Sequence, residues 1–181
     1  PRHAFVPAEQ TARAYENAAL PIGFGQTISQ PYVVAVMTDL LAIAPNHDVL
    51  EIGTGCGYQT AILARLARRV FSVELLGDLA TSARERLGRL GVANVEIRIG
   101  DGCEGWPDHA PYDAIMVTAA AREIPEPLLA QLKSGGRMAI PLGDSMRGQQ
   151  LTLVEKDAGG RVTQRAILPV AFVPLVKARK R

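Results

Sequence analysis

Residues 49–61, VLEIGTGCGYQTA, constrain this chain more than any other stretch: an apolar run ends in three glycines at alternate positions and passes directly into a helical pattern. Val49, Leu50 and Ile52 suit a strand buried on both faces, and Gly53, Gly55 and Gly57 permit a tight turn where a Cβ would obstruct a close ligand. A strand–turn–helix of this kind opens an α/β sheet and implies a nucleotide-like cofactor at the strand's carboxyl end. Spacing narrows the choice. The dinucleotide fingerprint runs G-x-G-x-x-G with a pyrophosphate on the helix N-terminus, whereas here the run is G-x-G-x-G, which disfavours NAD. Glu74, closing the next apolar run VFSVE, lies 21 residues beyond Gly53, the separation at which a carboxylate can accept from both ribose hydroxyls.

Ahead of that stretch, residues 1–30 show no sustained period. Pro7, Pro21, Gly23 and Gly25 divide them into short pieces suited to cover the mouth of a cofactor site. GQTISQPY, 25–32, places Ser29 just before Pro31, a residue favoured in the first turn of a helix, so Ser29 is expected at or beside an N-cap. A helix over 31–44 would present Val33, Val36, Met37, Leu40 and Leu41 on one face and stop before Pro45.

After the glycine turn, Leu63, Leu66, Ala67 and Val70 follow i, i+3, i+4, i+7, with Arg65, Arg68 and Arg69 turned outward. Residues 70–74 read as the second strand. The following helix would bury Leu79, Ala83, Leu87 and Leu90, end at Gly91 and solvate Arg84, Arg86 and Arg89. A third strand, 95–100, delivers Asp101 between Gly100 and Gly102 at a strand's carboxyl end, where it could accept from an adenine amino group. Residues 112–118 form a fourth strand, Leu128, Leu129 and Leu132 mark a short helix closed by Gly135 or Gly136, and 137–142 form a fifth strand. Beyond it, QLTLVEK and RVTQRAIL alternate apolar and polar around residues 157–160, DAGG, a hairpin pattern. The expected fold is α/β: a doubly wound, mostly parallel Rossmann-like sheet with antiparallel C-terminal strands and a helical and loop N-terminal cover.

The 181 residues suffice for one domain with its own core, expected over 1–176, with 1–30 as the cover and 177–181 as a solvated basic tail. That tail carries four positive charges against a formal net charge of +2, so the body is −2 and offers no basic surface for nucleic acid. Two cysteines, Cys56 and Cys103, are too few for a disulfide framework and favour free thiols in a reducing, cytoplasmic setting. His3, His47 and His109 lack metal-ligand spacing, so no metal is expected. The longest uncharged apolar stretch, 166–176, spans 11 residues with two prolines and cannot cross a bilayer as a helix. The chain opens at Pro1 without an initiator methionine, consistent with an N-terminal piece ahead of it.

The glycine turn with a ribose carboxylate and no diphosphate cradle resembles S-adenosylmethionine-dependent methyltransferases. Other stretches are more specific. PRHAFVP (1–7), YENAALPIGFGQTISQPYVVA (15–35), the glycine-turn segment (49–64), GDGCEGWPDHAPYDAIMVTAAAREIPEPLLAQLKSGGRMAIPLG (100–143) and FVPLV (172–176) resemble the protein-L-isoaspartate O-methyltransferase family over nearly the whole chain. The resemblance implies methyl transfer from S-adenosylmethionine to the free carboxylate of isoaspartyl residues in damaged proteins and peptides, the ester then collapsing to a succinimide. It implies Ser29 as the active-site hydroxyl; Glu51, Gly53, Thr54, Gly55, Gly57, Glu74, Leu75, Asp101 and Gly102 around the cofactor; and Thr27, Ile28 and Gln30 beside the substrate. The expected protein is a monomer with no nucleic-acid or membrane partner. Two departures stand out: the family more often has serine at Cys56, and it usually carries a helical segment ahead of the position of Pro1.

The inventory suits that chemistry. A carboxylate with a pKa near ~3.9 is ionised at neutral pH, so attack on a sulfonium methyl requires positioning and no general base. Two competing readings are a methyltransferase for another acceptor and a binding module without turnover. An adenine-amino methyltransferase would show an Asn/Asp-Pro-Pro-aromatic motif after the fourth strand, where this chain has Thr118-Ala119-Ala120-Ala121-Arg122.

Overall fold

The computed structural model describes residues 1–144 and 146–178. Nine strands and four α-helices appear among them, with short 3-10 turns at Arg2–Phe5, Ala8–Arg13, Gly102–Glu104 and Pro107–His109. A small antiparallel hairpin, β1 (Leu20–Gly23) and β2 (Gln26–Ile28), precedes α1 (Pro31–Leu40). The alternating unit then runs β3 (Asp48–Ile52), α2 (Tyr58–Leu66), β4 (Arg69–Glu74), α3 (Gly77–Arg89), β5 (Val95–Ile99), β6 (Tyr112–Val117) and α4 (Glu126–Gln131). Three long strands follow: β7 (Leu132–Asp144), β8 (Gly148–Lys156) and β9 (Val162–Val170).

These build a seven-stranded sheet of order β5-β4-β3-β6-β7-β8-β9, parallel from β5 to β7 and antiparallel thereafter. The chain reverses direction across the sheet between β3 and β6, and the crevice at the carboxyl ends of those two strands is where such sheets hold ligands.

Period-two alternation divides the core between the two faces of the sheet. Val49, Val70, Ala114, Met116 and Ala139 pack with Val33 and Met37 of α1, with Leu41 just past its end, and with Leu63 of α2. Leu50, Ile52, Phe71, Val73, Ile115 and Val117 pack with Leu128 of α4 on the other face. A third cluster joins the cover to the sheet, with Phe5, Leu20 and Ile28 against Cys56 and Leu87. Among the described residues, no helix is long and apolar enough to cross a membrane.

Several boundaries differ from the sequence reading. The first helix ends at Leu40 instead of Ala44: Leu41 closes it and Ala42 takes a positive φ of 46°. Its most buried side chains are Val33, Val34 and Met37, and its N-cap is Gln30, which makes no side-chain cap bond, so Ser29 lies beside the cap, as expected. The apolar set from Leu63 to Val70 straddles two elements. Leu66 is 40% exposed and Val70 already belongs to β4, so the i+7 match reflects a strand residue. Leu90 likewise falls past the end of α3 at 38% exposure.

Arg84 and Arg86 are not simply solvated: they donate to Ile97 O at 2.7 Å and Cys56 O at 2.8 Å. The short helix stops at Gln131, and Leu132 opens β7 opposite Tyr112. Gly135 and Gly136 sit inside a bulge of that strand, where the register jumps from Leu132 to Arg137. Of the basic tail, 179–181 lie outside the described residues; Ala178 is tied down, its amide donating to Asp101 Oδ2 at 2.8 Å.

Candidate active site

The carboxyl end of β3 turns at Gly53 (φ 93°), Gly55 (φ 53°) and Gly57 (φ 86°), all in the left-handed region that glycine adopts freely. At Gly53 the constraint is doubled: a Cβ would collide with Thr118 Oγ1, whose single proton lies between two acceptors, Ile52 O (2.9 Å) and Gly53 O (2.7 Å). Thr118 thus staples the end of β6 to the glycine turn.

The turn forms one side of a cavity of about 170 Å³. Gly53, Thr54, Gly55 and Cys56 line it from the turn after β3, and Glu74, Leu75 and Leu76 from the end of β4 and just beyond. Gly102 contributes from beyond β5, where a Cβ would stand 2.5 Å from Ile52 Cγ2, so only glycine fits without displacement. The cover contributes Thr27, Ile28 and Ser29 to the same lining. Ser29 therefore faces the same space as Glu74, although 45 positions separate them in the chain.

Glu74 is buried, and its carboxylate accepts from Gly55 N (2.8 Å) and Leu76 N (3.0 Å). One main-chain donor per oxygen fixes the group while leaving lone pairs for two ligand hydroxyls. No Lys, Arg or His lines the cavity among the described residues, which suits a nucleoside without a diphosphate. Val73, Leu75, Leu76 and Leu79 are apolar lining that could border a base.

The remaining expected residues lie off the cavity wall. Glu51 is fully buried beneath the turn, with Oε2 accepting from Thr60 Oγ1 and Ser72 Oγ, both at 2.6 Å. Its Oε1 has no partner, and burial pushes its pKa to about 8 against the lowering effect of the two hydroxyls. Its direct contacts are therefore with the hydroxyl network that continues from Ser72 to Thr54 at 2.6 Å. Gly57 is the N-cap of α2 and packs toward Ala83 and Leu87. Gln30 caps α1 and is not part of the lining.

Asp101 stands at the rim with both oxygens engaged, Oδ1 by Cys103 N (2.8 Å) and Oδ2 by Ala178 N (2.8 Å). The N–H donor against Oδ2 is thus the chain's own C-terminal segment.

Other wall residues had no individual sequence signal: Ile52 and Thr118 from strand ends, Tyr58 and Gln59 from the first turn of α2, and Val173 to Val176. The last group belongs to the FVPLV stretch, whose isolated bridge from Pro174 to Ala120 brings it to the mouth. Cys56 is buried and free, its thiol pushed up to about 11 by burial; Cys103 is also free.

The three histidines have structural surroundings. His3 meets the Tyr15 hydroxyl at 2.7 Å, His47 Nδ1 accepts from Ala44 N at 3.1 Å, and His109 stacks on Phe71. No group of three or more His, Cys, Asp or Glu residues forms a metal site among the described residues.

Parallel strands meeting at an order reversal, a glycine turn without a phosphate cradle and a fixed carboxylate at the next strand end place the chain among the Rossmann-like methyltransferases. Comparison with known proteins narrows this further. The chain belongs to the protein-L-isoaspartate(D-aspartate) O-methyltransferase family, whose model matches residues 1–180.

A relative from Polaromonas sp. (strain JS666 / ATCC BAA-500), protein-L-isoaspartate O-methyltransferase 2, is 61% identical over 179 residues, covering 99% of this chain and 85% of its own. A solved protein-L-isoaspartate O-methyltransferase superposes with a TM-score of 0.88 at 32% identity over 96% of this chain, which spans 57% of that longer one. A putative enzyme of the same name from Plasmodium falciparum, solved in complex with S-adenosyl-L-homocysteine, gives a TM-score of 0.83 at 25% identity, covering 98% and 86% of the two chains.

Proposed function

We propose that this chain transfers a methyl group from S-adenosylmethionine to the free carboxylate of L-isoaspartyl residues in damaged proteins and peptides, the first step of their repair through a succinimide. The observation that carries the reading is the shared cavity, lined by Ser29 and Thr27 of the cover together with the glycine turn and Glu74. The residues fit an adenosyl sulfonium. Glu74 would take the ribose hydroxyls, Leu75 and the lining around it would flank the base, and Gly53, Thr54, Gly55 and Gly102 provide main chain that ligand atoms can approach closely. Glu51 and Gly57 would support that wall from behind, and Asp101 would serve the base once the Ala178 amide moves away.

When bound, S-adenosylmethionine supplies a methyl on a positively charged sulfur, open to in-line attack by a carboxylate oxygen. The chain's own task is placement. Ser29 donates a hydrogen bond to the acceptor carboxylate and orients its free oxygen; Thr27 and Ile28 border the peptide from the lining, while Gln30, at the N-cap of α1 and outside that lining, would flank the substrate entrance. An ionised carboxylate has no proton to remove, so the cavity needs no base, and the lining contains no His or Lys to act as one among the described residues. Holding the reacting atoms about 3–3.5 Å apart and excluding water supplies several kcal/mol of the barrier.

The same reading makes the enzyme a monomer that works in the cytoplasm on protein, without nucleic acid or membrane. In support, the body of the chain is −2 in charge and both cysteines are free. Methyl transfer is tested with two peptides of one sequence, carrying isoaspartate or aspartate at a single position. Turnover confined to the isoaspartyl peptide is the expected result; equal turnover on both, or none on either, refutes the assignment.

A further inference from the structure

Arg2 is only 2% exposed, and no carboxylate among the described residues forms an ion pair with it. Its partners are three backbone carbonyls instead. Nη1 donates to Ala14 O, and Nη2 donates to Ala18 O at 2.9 Å and Ser29 O at 3.0 Å. The three acceptors lie in separate pieces of the cover: just past the Ala8–Arg13 turn, in the approach to β1, and immediately ahead of the N-cap of α1.

Neutral carbonyls offset only part of the cost of removing a cation from water, and Nε is left without a partner. Burial accordingly lowers the guanidinium pKa from its usual value. For packing alone, an apolar side chain of similar volume would serve as well or better. What an apolar side chain cannot do is fix the plane of the peptide that follows Ser29. That plane, with the helix start at Pro31 on its other side, sets the direction in which the Ser29 side chain leaves the backbone.

The same 3-10 turn also reaches the other wall of the cavity. Phe5 packs edge-on against Tyr58 at 5.4 Å, and Tyr58 lines the cavity at the start of α2. Phe5 further shares a cluster with Ile28, next to Ser29, and with Cys56 of the glycine turn. One short segment therefore grips the acceptor wall through Arg2 and the cofactor wall through Phe5.

We propose that Arg2 is a positioning residue for methyl transfer, holding the Ser29 hydroxyl in line with the acceptor carboxylate through its bond to the Ser29 carbonyl. This rests on the assignment of Ser29 to that carboxylate. Arg2 itself touches neither reactant and moves no proton.

The test is a double-mutant cycle with Arg2→Met and Ser29→Ala, with Arg2→Lys as the conservative variant. It reads kcat and KM for the isoaspartyl peptide and, separately, the Kd for S-adenosylhomocysteine. Arg2→Met is expected to lower kcat/KM roughly tenfold or more, mainly in kcat, while the Kd stays within about threefold. Arg2→Lys, able to reach one or two of the carbonyls, recovers part of the loss. In the Ser29→Ala background, Arg2→Met costs less than about threefold, because the group it positions is gone.

Fully additive losses overturn the proposal, as do unchanged kcat/KM in Arg2→Met and loss of cofactor binding in step with turnover; the last outcome makes Arg2 a fold residue only. Failure of the Ser29 assignment is distinguishable, because Ser29→Ala alone would then leave turnover intact.

Discussion

The two walls of the cavity are built on different physical terms. The cofactor wall grows out of the parallel sheet: all five residues of β3 are buried, and the glycine turn continues that strand into α2. The acceptor wall belongs to the cover, whose Ala8–Arg13 turn buries nothing and whose strands are four and three residues long. Apolar area holds the first, while the second is gathered by the Arg2 guanidinium and a small cluster around Phe5, Leu20 and Ile28. A reaction that joins one constant cofactor to many different damaged peptides suits such a division. The cofactor side is set by the global fold, and the peptide side by local contacts that can adjust without disturbing the sheet.

If that contrast is right, cutting into the sheet costs stability first. Leu50 is fully buried on β3 between β4 and β6, and Leu50→Ala is expected to lower unfolding stability by about 3–4 kcal/mol in denaturant titrations. A loss below about 1 kcal/mol would show that the sheet does not carry the fold.

Gly53→Ala strikes the turn itself. With φ at 93° and the new Cβ against Thr118 Oγ1, the expected cost is about 2–3 kcal/mol, with a Kd for S-adenosylhomocysteine roughly tenfold weaker by calorimetry.

Glu51 gives a smaller, pH-dependent effect. Its folded pKa of about 8 lies above the ordinary glutamate value of 4.5, so the folded state holds a proton that the unfolded chain releases between them. Its stabilising contribution is complete below the unfolded value and disappears as pH rises through 8. Wild type should therefore lose on the order of 2 kcal/mol more than Glu51→Gln between pH 5.5 and 7.5, read from paired denaturation curves. Parallel curves would place Glu51 in a more polar setting than its unpartnered Oε1 indicates.

The contrast also governs what the sequence reveals. The β3 turn, Glu74 and the buried side of α3 are legible because a strand end, a periodic helix face and a left-handed glycine each constrain residue type locally, whereas of the four residues expected to line the inside of α2 only Leu63 is a buried member of it. Even there, periodicity alone misplaces boundaries. Val70 fits the helical repeat from Leu63 but pairs in β4, and Leu132 fits the helical repeat from Leu128 but opens β7. Both are apolar in either state, and only pairing with a neighbouring strand decides.

Arg2 has no local signature at all. Its acceptors, 12, 16 and 27 residues away, are backbone carbonyls that every sequence possesses. The FVPLV stretch reads as an apolar run, and its place at the cavity mouth follows from the bridge to Ala120. Asp101 is the mixed case. Its position at a strand end is legible, but its occupation by the Ala178 amide depends on a contact 77 residues away.

The separation of the two walls is tested most directly by a crossed measurement: Glu74→Gln and Ser29→Ala, each assayed for S-adenosylhomocysteine Kd and for isoaspartyl-peptide kcat at saturating cofactor. Glu74→Gln is expected to weaken the Kd by roughly tenfold or more while kcat stays within about threefold. Ser29→Ala is expected to do the reverse, with kcat down roughly tenfold or more and the Kd within about threefold. If either variant lowers both quantities together, or Ser29→Ala changes neither, the two walls do not divide the work and the account fails.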